Sequence, residues 1–157
     1  MTSLRDVLNS RKLFWALVIL ILVNALWSTF VFLMFLNVPI YYWVFLNICA
    51  PTIYLTVIAL LFKNKVFMNA MVPFLIFFGT GGLFMFSWSP IMLQAQLTHI
   101  LMTITAIYIA LSSLDAKKKM LLGFTIGIVA VLLLEILVFP RVFSIPEVAR
   151  ILEQMMS

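Results

Sequence analysis

Between residues 13 and 139 the chain is almost continuously apolar, broken only by short links at 37–40, 63–65, 87–90 and 115–119. The links divide it into five runs, about 13–36, 41–62, 66–86, 91–114 and 120–139. Each is close to the roughly 20 apolar residues that carry a helix across a bilayer core. None alternates apolar and polar residues as a barrel strand would, and in hydrocarbon only a helix or a closed barrel satisfies its own backbone polar groups. The expected fold is therefore all-α: a polytopic membrane bundle of five transmembrane helices with short amphipathic terminal helices, forming one transmembrane domain over residues 1–157. Short links make successive helices antiparallel neighbours.

Composition agrees with this reading. Of 157 residues, 66% are hydrophobic and 10% charged, against about 25% charged in a soluble domain. One Cys and one His supply neither a Cys/His metal cage nor an internal disulfide framework. No metal or other cofactor is expected.

The net charge of +5 does not point to nucleic acid, because the cations sit in small groups at the ends of apolar runs. Arg5, Arg11 and Lys12 precede the first run, Lys63 and Lys65 separate the second and third, and Lys117, Lys118 and Lys119 separate the fourth and fifth. All three groups fall on one side, with only Arg141 and Arg150 opposite, and cytoplasmic loops are the ones rich in Lys and Arg. The expected location is the cell membrane, multi-pass, with the N-terminus cytoplasmic and the C-terminus extracytoplasmic. Tyr41, Tyr42, Trp43 and Trp88 then fall at the outer interface, where aromatic rings settle. The first run exceeds a signal-peptide core and no small-x-small cleavage pattern follows it, so it reads as a retained span.

At the C-terminus, Ser144, Pro146 and Glu147 read as a capping box opening a helix over about 145–156. Val148, Ile151, Leu152 and Met155 share one face, and Glu147, Arg150, Glu153 and Gln154 the other, as in an interfacial helix.

Polar residues within apolar runs are costly and therefore informative. They comprise Asn24, Trp27 and Ser28 in the first run, and Asn47, Cys49 and Thr52 around Pro51 in the second. The third carries Gly79-Thr80-Gly81-Gly82, the fourth Gln96, His99 and Thr103, and the fifth Glu135. With the topology above nearly all lie in the outer half, which suggests a polar pocket formed by Asn24, Trp27, Ser28, Asn47, Gly81, Gln96, Thr103 and Glu135. Pro51 is expected to bend its helix and free the Asn47 carbonyl. Glu135 needs a neutralising neighbour at its depth, for which His99, Gln96 and Asn24 are candidates. Gly123 and Gly127 form a small-residue packing pattern.

Residues 41–113 resemble the central three spans of the YwaF-like membrane proteins in the order Asn47-Ile48-Cys49, Gly79-Thr80-Gly81-Gly82, the Pro90 loop and His99. Eukaryotic relatives of that family are acyltransferases acting on membrane phospholipids. The resemblance implies Cys49 as the acyl-carrying nucleophile and His99 as its base, since a thiol needs a nearby base to become a thiolate.

The residues and the resemblance together leave three readings, of which the first is preferred and the other two are alternatives. The first is a membrane-embedded assembly or ligand-binding component, whose expected partners are membrane lipid and either other membrane subunits or further copies of itself. The second is a thiol-dependent acyltransferase on membrane lipids. The third is a small-solute or ion carrier using Glu135.

Overall fold

A computed structural model describes residues 10–80 and 90–156. Among them the chain is helical, with no strand. Helix α1 spans Arg11–Phe30 and runs on through a π-helical turn, Val31–Phe35. It is followed by α2 (Ile40–Leu46), α3 (Cys49–Phe62), α4 (Lys65–Thr80) and α5 (Pro90–Ser112). A 3-10 turn at Leu114–Ala116 leads into α6 (Lys117–Leu133), which passes through a second π-helical turn, Leu134–Val138, into α7 (Phe139–Phe143) and then α8 (Pro146–Met156).

Three helical stretches are long and apolar enough to cross a membrane: Arg11–Phe35, Leu93–Ser112 and Leu114–Phe143. They coincide with the first, fourth and fifth expected spans. The count is up to four when α2 and α3 are taken together. The third expected span is helical over 16 residues in α4, about 24 Å of rise, and its remaining stretch, 81–86, lies outside the described residues.

The second expected span is not one straight helix. α2 and α3 meet at 84°, with Asn47 out of helical geometry (φ −125°, ψ 52°). Pro51 sits in the first turn of α3, where its missing N–H would have had no helical partner in any case. The Asn47 carbonyl is not freed as expected, because the Ala50 N–H donates to it at 3.1 Å. The same bend turns Trp43 inward. It is 9% exposed, whereas Tyr41 remains outside at 63%.

Among the described residues, two other than glycine adopt left-handed backbone, Asn37 (φ 48°) and Lys63 (φ 52°). Asn37 closes the end of the α1 stretch, as its short polar side chain permits. Lys63 ends α3 where Gly or Asn is usual, at a cost of about 1 kcal/mol. Asn64 then caps α4, its Oδ1 accepting from the backbone N–H groups of Val66 at 3.0 Å and Phe67 at 3.2 Å.

α4 is the hub. It packs on α3, α5 and, most extensively, α6, while α1 lies against α3 and α5. The α4–α6 seam is a backbone contact made possible by glycine. A Cβ on Gly123 would overlap the Val66 carbonyl and lie 3.0 Å from the Asn69 Cβ. One on Gly127 would overlap the Ala70 carbonyl and lie 2.9 Å from the Pro73 ring. The small-residue pattern read from the sequence is thus a packing surface. Asn69, 1% exposed, donates through Nδ2 to the Lys65 carbonyl at 2.7 Å and to Ser113 Oγ at 2.9 Å, tying α4 to the end of α5.

The C-terminal helix begins at Pro146, as expected. Ser144, however, donates its hydroxyl back to the Arg141 carbonyl at 2.8 Å, closing α7, and makes no hydrogen bond to the α8 backbone. Val148 is fully buried and Ile151 packs on the main core, while Glu147, Arg150 and Glu153 are exposed. The N-terminal tail lies outside the described residues.

Replacing Gly127 by Val should lower stability by about 1–3 kcal/mol, because the methyls must displace the Ala70 carbonyl. Gly79→Ala, whose added Cβ would lie 3.2 Å from the Met102 Cβ, should cost less. Unfolding in detergent, followed by the loss of helical signal, checks the order of the two.

Candidate functional site

Asn24 and Ser28 stand one turn apart on α1, both buried, and face two different partners. Asn24 Oδ1 accepts from the Thr98 hydroxyl and, at 3.3 Å, from Gln94 Nε2 on α5. Ser28 Oγ accepts from Asn47 Nδ2 at 2.9 Å, across the break between α2 and α3. One residue further on, Thr29 donates to the Ala25 carbonyl at 2.8 Å, so the Tyr54 hydroxyl 2.8 Å away is the donor to Thr29.

The remaining pair completes this belt. Cys49, the first residue of α3, lies two positions beyond Asn47, and His99 follows Thr98 on α5. Cys49 Sγ is 3.4 Å from His99 Nε2. The other ring nitrogen, Nδ1, is 2.7 Å from the Ala95 carbonyl. A carbonyl only accepts, so Nδ1 carries hydrogen, and in the neutral ring Nε2 presents its lone pair to the thiol. Both side chains are half-buried.

α4 packs against the backbone of α5 just beyond His99. Gly79 lies close to the next turn of α5, where an added Cβ would sit 3.3 Å from Thr103 Oγ1 and 3.5 Å from the His99 carbonyl. Thr103 donates to that carbonyl at 3.0 Å. Its hydroxyl is therefore engaged with the backbone of its own helix.

The expected site residues separate accordingly. Asn24, Ser28, Asn47, Cys49 and His99 share the belt, with Thr103 one turn beyond His99. Trp27 does not, being 52% exposed and packed on Phe30 at a ring separation of 5.9 Å. The α5 amide that reaches Asn24 is Gln94 and not Gln96, which stands two residues on and so about 200° around the helix. Glu135 lies half-buried in the π-helical turn Leu134–Val138, which packs mainly on its chain neighbours α6 and α7. None of the belt's hydrogen bonds reaches it. Gly81 lies outside the described residues.

Gln94, Thr98 and Tyr54 were missed. The i, i+4 spacing of Gln94 and Thr98 was the signal that could have found the first two, since it repeats that of Asn24 and Ser28. The Trp43 indole N–H, in α2, is buried without a partner among the described residues.

Compared with known protein families, curated proteins and solved structures, the chain matches none of them.

The α1–α5 pairing yields a measurable coupling. A double-mutant cycle of Asn24→Ala and Thr98→Ala should give about 0.6–1.7 kcal/mol, the range for interhelical hydrogen bonds between apolar helices. Unfolding midpoints of the four proteins in detergent supply it, and additive effects would show that the two side chains act independently.

Proposed function

We propose that the protein is a multi-pass membrane thiol acyltransferase, in which Cys49 accepts an acyl chain from a membrane lipid and His99 moves the proton. The observation that carries this reading is the 3.4 Å approach of Sγ to Nε2 together with the Ala95 carbonyl that fixes the ring. A base oriented by a third group and within reach of a nucleophile is the arrangement that activates thiols.

In the proposed cycle Sγ attacks the carbonyl carbon of an ester-linked acyl chain while the thiol proton passes to Nε2. As the ester C–O bond breaks, Nε2 returns that proton to the departing alcohol, leaving S-acyl Cys49 and a lysolipid. A second lipid hydroxyl, deprotonated by the same nitrogen, takes the acyl group and restores the thiol. The apolar surroundings suit this chemistry, since the substrate arrives through lipid and water is kept from the thioester.

The topology in this proposal puts the lysine-rich turns in the cytoplasm and the belt toward the outer leaflet. It draws support from Arg11, Lys63 and Lys65 meeting at one end of the bundle, as cytoplasmic loops would require.

A specific observation favours a second reading, the non-catalytic component. Asn24 with Thr98 and Asn47 with Ser28 are already paired, as in a clamp that holds three helices together.

The full chain reconstituted in vesicles with acyl-radiolabelled phospholipid separates the two. Acyl transfer predicts a hydroxylamine-sensitive label on the wild type, its loss in Cys49→Ala, and labelling slowed by about 10²–10⁴-fold in His99→Ala. An unlabelled wild type, or label surviving in Cys49→Ala, would leave the clamp.

A further inference from the structure

About 20 Å from Cys49 along α3, at the other end of the bundle, a cavity of about 620 Å³ opens between the start of α1, the α3–α4 link and the end of α5. Its cations are Arg11 at the start of α1 and Lys63 and Lys65 on either side of Asn64 in the α3–α4 link. Among the described residues no carboxylate lines it. Arg11 and Lys63 are exposed. Lys65 is half-buried and donates from Nζ to the Ser112 carbonyl at 2.5 Å, which leaves two further N–H groups.

Three cations around one hollow repel one another unless an anion joins them. Lys63 is moreover held there by the left-handed backbone that ends α3. The Tyr108 side chain also lines the hollow and brings a hydroxyl donor. The floor is apolar, made by Phe14, Leu60 and Met68. Trp15 and Leu61, 41% and 49% exposed, form a wall that faces out of the bundle. The volume suits a ligand larger than a simple ion, and the division into a cationic rim and an oily floor fits an amphiphile.

We infer that this cavity is a binding site for a phosphate group, with Arg11, Lys63 and Lys65 as its ligands and the apolar floor taking the glycerol and upper acyl chain of an anionic phospholipid. Basic pockets between membrane helices recognise headgroups in this way. The site is separate from the Cys49–His99 pair and does not depend on acyl transfer.

Calorimetric titration of the full chain in detergent tests this with three probes: short-chain phosphatidylglycerol, short-chain phosphatidylcholine and inorganic phosphate. Phosphatidylglycerol should bind saturably and more tightly than phosphatidylcholine, whose choline brings a fourth positive charge. Arg11→Gln combined with Lys63→Gln should weaken it roughly thirtyfold. Both positions are exposed and their charges repel without an anion, so the melting midpoint without ligand should not fall, and Lys118→Gln, beyond the cavity, should bind as wild type. Inorganic phosphate binding as tightly as phosphatidylglycerol, with the same loss in the double variant, would support the site with free phosphate as its source. Equal binding of the two lipids, undiminished binding by the double variant, or no binding of any probe would overturn the inference.

Discussion

A polar side chain among apolar helices must find its partner inside the protein, because the surroundings offer none. That constraint organises this chain. Asn24 answers Thr98 and Gln94, Asn47 answers Ser28, Tyr54 answers Thr29, and Asn69 answers Ser113. Each pair joins elements distant in sequence, so the same bonds that offset the cost of a polar group also fix how helices are rotated against one another. The Cys49–His99 approach depends on this rotation. Asn47, two residues before Cys49, and Thr98, next to His99, are both held to α1.

Packing supplies the second restraint. The faces of Gly123 and Gly127 bring α6 against the α4 backbone, and Gly79 lets α4 settle on the turn of α5 that carries His99. Small side chains here increase contact between helices that have little hydrophobic reason to associate in lipid. α4 is thus gripped from both sides, and its capped start beside Lys63 forms one wall of the cationic cavity.

Much of this was legible in the sequence, and the remainder failed for identifiable reasons. Run length and link position locate the first, fourth and fifth long helices, and the glycine spacing in α6 marks a contact face. The second run reads as one kinked helix, since hydropathy does not distinguish a bend from a two-residue break; Asn47 backbone geometry decides that. Position along the bundle was readable for the residues of the belt, but direction around a helix less so. Trp27 shares a depth with Asn24 and Ser28, yet its large apolar ring turns outward. Glu135 fails similarly, because matching depth does not bring α6 beside α1 or α5. Cys49 and His99 were marked by family resemblance, and only the fold sets their separation. The lysine groups indicated one end of the molecule, but not that three cations surround a hollow.

The glycine seam also separates the helix that supports the bundle from those that carry its polar groups. α6 touches the rest of the bundle chiefly through α4, and its outer surface carries a run of large aliphatic side chains that need no protein neighbour. All the elements contributing to the belt and to the basic cavity precede it in the chain. The polar belt and the basic cavity thus draw no side chain from α6, whose part is to back the helix on which both ends of the bundle are built.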